Sequence, residues 1–294
     1  MAVSTTSTVR RTRVPAVWLV LAGIVSVQFG AAIAKGLFDE VDPTALVWLR
    51  LATSAVALLL LARPRVTGRS RRDWATVAAF GVSLGLMNWA IYQSFARIPL
   101  GIAVTLEFIG PLTVAVVGSR RLRDLLWVLL AGVGVVLLGL EPGTLTVAGV
   151  LFALLAGGCW GAYILLSAGT GRRWPGLDGL AVASVIAALL LAPAAAVRSQ
   201  GAFTDPRILG LGAAIGLLSS VIPYSFEITA LRSIRPAVFG ILMSLEPAVA
   251  ALAAMLVLHE FLTAGQWIAV GCVVAASVGA TRSAPAHQTE PVPD

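Results

Sequence analysis

Residues 98–121 read IPLGIAVTLEFIGPLTVAVVGSRR, an apolar run holding one carboxylate, Glu107, and one interior proline, Pro111, before it closes on paired arginines. Sliding the chain on itself by 136 residues lays Ile98, Leu106, Pro111 and Val114 on Ile234, Leu242, Pro247 and Ala250. Both copies then reach a charged turn and a tryptophan, Trp127 in the first and Trp267 in the second. A proline inside a helix removes a hydrogen bond and pushes against the carbonyl four residues back, here that of Glu107 or of Met243. In lipid such a freed carbonyl is tolerated only against protein or a wet cavity. Pro111 and Pro247 are therefore expected at the centre of a bundle. A packing kink would explain either proline alone, and the symmetry of the pair argues against it.

Working outward from this pair, apolar runs near the length of about 20 residues that a spanning helix needs recur along the chain. They lie at 14–34, 44–62, 74–95, 99–119, 125–140, 146–168, 178–197, 207–230, 236–258 and 263–281. Ten spans divide into five per copy, and five is odd, so the second copy sits upside down. Such an inverted repeat builds a two-sided site near the midplane, the plan of a secondary transporter. The expected fold is an all-α membrane protein of ten transmembrane helices in two inverted five-helix repeats, 14–140 and 146–282. A cytoplasmic tail at 1–13 and a disordered, proline-containing cytoplasmic tail at 283–294 complete the chain.

Composition agrees with that plan. Hydrophobic residues make up 58% of the chain and charged ones 12%, with a mean hydropathy of +0.92, which no water-soluble core of this size could bury. A net charge of +7 in a soluble protein would suggest nucleic acid. Here the arginines cluster in short connections instead, among them Arg63, Arg65, Arg69, Arg71 and Arg72 between spans two and three, while Lys35, Arg97, Arg198 and Arg207 alone fall on the other side. The positive-inside rule then places both termini in the cytoplasm. The partners implied are the lipid bilayer and a small-molecule substrate, with no nucleic acid; a homodimer is one assembly the sequence allows. Arg10, Arg11 and Arg13 before an apolar run resemble a signal peptide, but the run is too long for one and no cleavage site follows, so it reads as a retained helix. Cys159, Cys272, His259 and His287 make no disulfide framework and no metal cluster, and no Walker-type glycine loop is present, so no metal, cofactor or ATP chemistry is expected.

Charges at bilayer depth are expensive and must be paired, hydrated or functional. Arg50 lies about 9 Å into span two and Glu107 about 12 Å into span four from the same face, at about 1.5 Å per residue. That depth allows a structural ion pair; the alternative is that Arg50 receives a substrate carboxylate while Glu107 carries a proton. Glu246 stands about 15 Å into span nine, directly before Pro247, with no basic partner at equal depth. An unpaired carboxyl in a low dielectric can hold and release a proton, so Glu246 is the favoured coupling residue. Glu227 could reach water or Arg232 and reads as structural, and Lys35 beside Asp39, Glu40 and Asp42 reads as snorkelling to the interface. Uncharged cavity candidates are Gln28, Asn88 and Tyr92 in the outer halves of their spans and Trp160, Tyr163 and Tyr224 in the inner halves. For Trp160 and Tyr163 plain packing is the stronger expectation; for the two amides a cavity or an interhelical hydrogen bond is.

Several stretches carry a resemblance: 26–38 (SVQFGAAIAKGLF), 81–88 (GVSLGLMN), 98–121, 156–167 (AGGCWGAYILLS), 223–231 (PYSFEITAL) and 239–252 (FGILMSLEPAVAAL). With the two-copy plan, the chain from 14 to 282 resembles the drug/metabolite transporter superfamily with tandem EamA repeats, and within it the bacterial threonine/homoserine exporter group. The resemblance implies export of small neutral amino acids across the bacterial cytoplasmic (inner) membrane, driven by protons. Gln28, Lys35, Asn88, Glu107, Trp160, Tyr163, Glu227 and Glu246 fall inside its motifs. The connection at 172–178 departs from the pattern. The alternatives are a broad exporter of drugs or metabolites, using the aromatics as a cage; a membrane-embedded enzyme; and a non-transporting sensor or assembly protein. An enzyme would need an intramembrane nucleophile with its base or a metal cluster, and neither is visible, so no catalytic residue is assigned.

Overall fold

The computed structural model describes residues 15–119, 125–139, 145–199, 201–231, 233–234 and 236–283. The expected tails, apart from residue 283, therefore lie outside the described residues, as does Arg232, the partner suggested for Glu227. The helices are α1 (Ala16–Gly36), α2 (Pro43–Ala62), α3 (Arg71–Phe95), α4 (Leu100–Glu107), α5 (Ile109–Ser119), α6 (Leu125–Gly139) and α7 (Val147–Gly171). They continue with α8 (Asp178–Arg198), α9 (Pro206–Gly216), α10 (Ile222–Leu231), α11 (Pro236–Met243), α12 (Glu246–Leu258) and α13 (Ala264–Ser283). A π-helical turn, Leu217–Val221, joins α9 to α10. Among the described residues nine segments are long and apolar enough to cross a membrane, and Leu125–Leu138 in α6 is a shorter apolar helix.

The starts of the helices follow local chemistry. Asp42 accepts a hydrogen bond from Thr44 N at 2.7 Å ahead of Pro43, whose missing N–H costs nothing in a first turn. Ser70 and Asp73 close a reciprocal capping box on α3. The two proline-bearing segments are each broken. Span four divides after Glu107, and its counterpart divides after Met243, the same position 136 residues on. These are the residues whose carbonyls Pro111 and Pro247 push out of the ladder. The break in the first copy is covered by protein: a Cβ on Gly157 would stand 2.6 Å from Glu107 O, so only glycine lets α7 approach there.

The packing has its own symmetry. α3 packs on α7 as α1 packs on α10, α3 packs on α8 as α2 packs on α9, and α4 and α5 pack on α7 as α1 packs on α12. α2 with α8, α4 with α12 and α6 with α13 pair across the halves. Exchanging each of the first five segments with the one five later maps these contacts onto one another. The interior is built from small residues such as Ala103, Ala153, Ala187 and Ala250, which are fully buried. Leu60, Leu126, Leu129, Val147 and Val197 face outward and exposed, as they must where the surroundings are hydrocarbon.

Ion pairs gather at the helix ends. At the end away from the termini, called distal here, Lys35 pairs with Glu260 at 2.5 Å, Arg198 with Asp42 at 3.5 Å and Arg207 with Glu40 at 2.6 Å. At the terminus-side end Arg173 pairs with Asp73 at 3.1 Å, and Arg69 stacks over Trp174 with 4.4 Å to the ring centroid. Lys35 thus takes a partner 225 residues away (260 − 35) and not its acidic neighbours in sequence.

Candidate functional site

A cavity of about 490 Å³ lies between the two broken segments. It is lined from α1 by Gln28, from α2 by Arg50, from α3 by Asn88, from the break in span four by Glu107, Phe108 and Pro111, and from α7 by Trp160 and Tyr163. The second half contributes Ser219 from the π-helical turn, Tyr224 and Glu227 from α10, Phe239, Gly240 and Met243 from α11, Glu246 from α12, and Ser277 and Thr281 from α13. The lining reaches Thr281 and Phe239, close to the terminus-side ends of their helices, so the cavity extends toward that side. Its lining includes neither Lys35 nor Glu260 at the distal end. There Lys35 Nζ donates to Ile98 O at 2.8 Å as well as pairing with Glu260, and Glu260 Oε2 accepts from Leu100 N at 2.8 Å. One ion pair so ties α1, the start of α4 and the end of α12 together.

Each polar group in the wall has a structural reason for its position. Glu107 is the last residue of α4 and Glu246 the first of α12, so the two breaks present carboxylates from opposite directions. Both are buried, at 8% and 7% exposure. Glu246 stands at a half-helix start, where the backbone dipole favours negative charge. Arg50 Nη2 donates to Ser219 O at 3.2 Å, while its Nε is buried without a partner. Gln28 Oε1 and Ser219 Oγ are likewise buried and unpartnered. Asn88 Nδ2 returns to Leu84 O in its own helix at 2.9 Å. Phe108 meets Trp160 edge to face at 5.1 Å, and Phe80 supports Tyr163 at 5.0 Å.

The cavity gathers Gln28, Arg50, Asn88, Glu107, Pro111, Trp160, Tyr163, Tyr224 and Glu246 from the sequence candidates. It does not include Tyr92 or Pro247. Tyr92 is fully buried between Phe38 and Phe95 with Arg50 over its ring, and its hydroxyl has no partner. Arg50 and Glu107 share the wall without forming an ion pair within 4.0 Å. Glu227, read from sequence as structural, is part of the lining. Sequence reasoning missed Ser219, Ser277 and Thr281. For Ser219 a signal existed: Pro223 lies four residues later and frees its carbonyl for Arg50. Among the described residues no group of three or more His, Cys, Asp or Glu side chains could hold a metal ion.

A chamber of this kind, at two helix breaks in a polytopic helical chain, is what transporters use, and comparisons with known proteins agree. The pattern of the EamA-like transporter family matches residues 147–282. The threonine/homoserine exporter RhtA of Escherichia coli (strain K12) is 40% identical over 272 residues, covering 90% of this chain and 92% of that protein. RhtA of Salmonella typhimurium (strain LT2) is 40% identical over 280 residues, covering 92% and 94%. A solved crystal structure, 19% identical, superposes with a TM-score of 0.64 over 92% of this chain and 97% of its own, a likeness of fold. The chain belongs to the EamA-like transporter family, among the relatives of the bacterial threonine/homoserine exporters.

Proposed function

We propose that this chain is a multi-pass secondary transporter of the bacterial inner membrane that exports threonine, homoserine and similar small neutral amino acids by alternating access, coupled to protons. The observation that carries the reading is the cavity itself. Among the described residues it offers one guanidinium, Arg50, and three carboxyls, Glu107, Glu227 and Glu246, in a single apolar-walled chamber, and a zwitterion needs an anion partner for its ammonium and cation donors for its carboxylate. Identity of 40% over 90–92% of the chain with proteins named threonine/homoserine exporters points the same way.

In this reading the chain crosses the membrane ten times, α6 being the fifth crossing, as two inverted EamA repeats at 14–140 and 146–282 with both termini cytoplasmic. The half-exchange symmetry of the packing and the matched breaks after Glu107 and Met243 support it. The terminus-side end is then the cytoplasmic one, and the structure is the inward-facing state, its outer end shut by Lys35 and Glu260. Substrate enters from the cytoplasm, Glu246 or Glu107 takes a proton from outside, and the halves rock about the chamber to release cargo outward. Cells loaded with threonine should release it faster when they express this chain than when they lack it; equal release would contradict the proposal.

A further inference from the structure

Among the described residues that line the cavity, Arg50 is the one basic side chain. A guanidinium has five N–H donors in a planar fork. One edge of it is anchored: Nη2 donates to Ser219 O at 3.2 Å, and the group lies over the Tyr92 ring, 5.7 Å from its centroid. Nε is buried with no partner, as is the hydroxyl of Ser219 beside it. Buried donors left unmade are costly, and a carboxylate is the group that fits such a fork.

The anchor exists because the chain is irregular at that point. Pro223 cannot bond to the Ser219 carbonyl and pushes it outward. The helix widens there into the π-helical turn Leu217–Val221, a form that recurs at functional sites. The adjacent carbonyl, Leu218 O, accepts from Ser26 Oγ of α1 at 2.6 Å, so the turn is seated on α1 as well as on α2. Gly30 completes the seat, since a Cβ there would clash with Ser219 Oγ and lie 3.3 Å from Leu218 Cβ.

The symmetry-related position, between α3 and α8, has no equivalent. At the 136-residue offset, Pro223 corresponds to Met87, in the unbroken helix α3, and Arg50 corresponds to Ile186. We propose that Arg50 forms a carboxylate subsite, present once in the pseudo-symmetric chamber, and that the π-helical turn seated on Gly30 is the device that positions it. This inference rests on the amino-acid reading above. It assigns the substrate one orientation, its carboxylate against α2 and the turn and its ammonium toward Glu107 and Glu246.

The test is competition against labelled threonine in counterflow with proteoliposomes, comparing threonine with threonine amide, which keeps the ammonium and hydroxyl and lacks the negative charge. The wild-type chain should prefer threonine by about tenfold or more, the size of one charge-assisted hydrogen bond. Gly30→Ala, which drives a methyl into Ser219 Oγ, should bring that ratio close to one. Adding Ser219→Ala to Gly30→Ala removes the clashing oxygen and leaves a tight 3.3 Å contact to Leu218 Cβ and an ordinary 3.5 Å contact to Ser219 Cβ, so the double variant should recover part of the preference. Arg50→Lys keeps the charge and loses the fork; it should lower the ratio too, and it serves if Gly30→Ala does not fold. Equal competition by the two compounds in the wild-type chain would overturn the subsite while leaving amino-acid transport standing. An unchanged ratio in both Gly30→Ala and Arg50→Lys would do the same. Competition by neither compound would overturn the amino-acid reading and the subsite with it.

Discussion

Replacing Lys35 by Met removes the cation that ties α1 to Glu260 and to the start of α4 at the distal end. In the structure its ammonium pairs with Glu260 at 2.5 Å and donates to Ile98 O at 2.8 Å, with side-chain exposures of 16% for Lys35 and 22% for Glu260. A fully exposed pair contributes about 0–1 kcal/mol, and breaking a fully buried one costs about 3–5 kcal/mol. This half-shielded pair, with its extra carbonyl bond, falls between them at about 2 kcal/mol. Because the pair joins segments that must separate for the distal end to open, that energy is lost from the closed state alone. The closed-to-open ratio should then fall by about 30-fold, at 1.4 kcal/mol per factor of ten. The assay is thiol labelling of Ala31→Cys, a cavity-lining position with 4% exposure, in a chain whose Cys159 and Cys272 have been replaced by serine. A membrane-impermeant reagent applied from the distal side should label the Lys35→Met variant much faster than its parent, by up to about 30-fold. Glu260→Gln should act in the same direction and more weakly, since its amide oxygen can still accept from Leu100 N. If neither variant labels faster, the pair does not gate the chamber.

Two further substitutions separate coupling from packing. Glu246→Gln should bring the ratio of threonine efflux with an inward proton gradient to efflux without one down to about one, because an amide carries no proton at this site; a ratio as high as wild type would remove Glu246 from the coupling role. Tyr92→Phe should retain transport within about twofold and leave thermal stability unchanged or slightly raised, because the hydroxyl it deletes is buried without a partner and its desolvation is uncompensated. Loss of threonine transport in Tyr92→Phe would place that hydroxyl in the site after all.

Much of this architecture was legible in the residues. The 136-residue offset pairs Pro111 with Pro247, and because proline acts on a carbonyl at a fixed distance along the chain it points to Glu107 and Met243, the residues at which α4 and α11 end. Apolar run length located the segments for the same reason: lipid leaves the backbone few choices. What sequence could not supply was lateral order. Lys35 stands beside three acidic residues in the chain and pairs instead with Glu260, which only the folded bundle brings near. Depth arithmetic put Arg50 level with Glu107 but said nothing of the angle around each helix, and the guanidinium turns to Ser219 O instead. Tyr92 matches Asn88 in depth, one turn earlier in α3, yet it packs between Phe38 and Phe95 and is not part of the lining. Glu227 erred in the other direction, for its place on α10 turns it into the cavity.

The most direct test of the account is efflux of labelled threonine and homoserine from proteoliposomes containing the purified chain, measured with and without a proton gradient directed against the flow. Saturable efflux of both amino acids is expected, faster with the gradient than without it. No efflux above that of protein-free liposomes under either condition would contradict it.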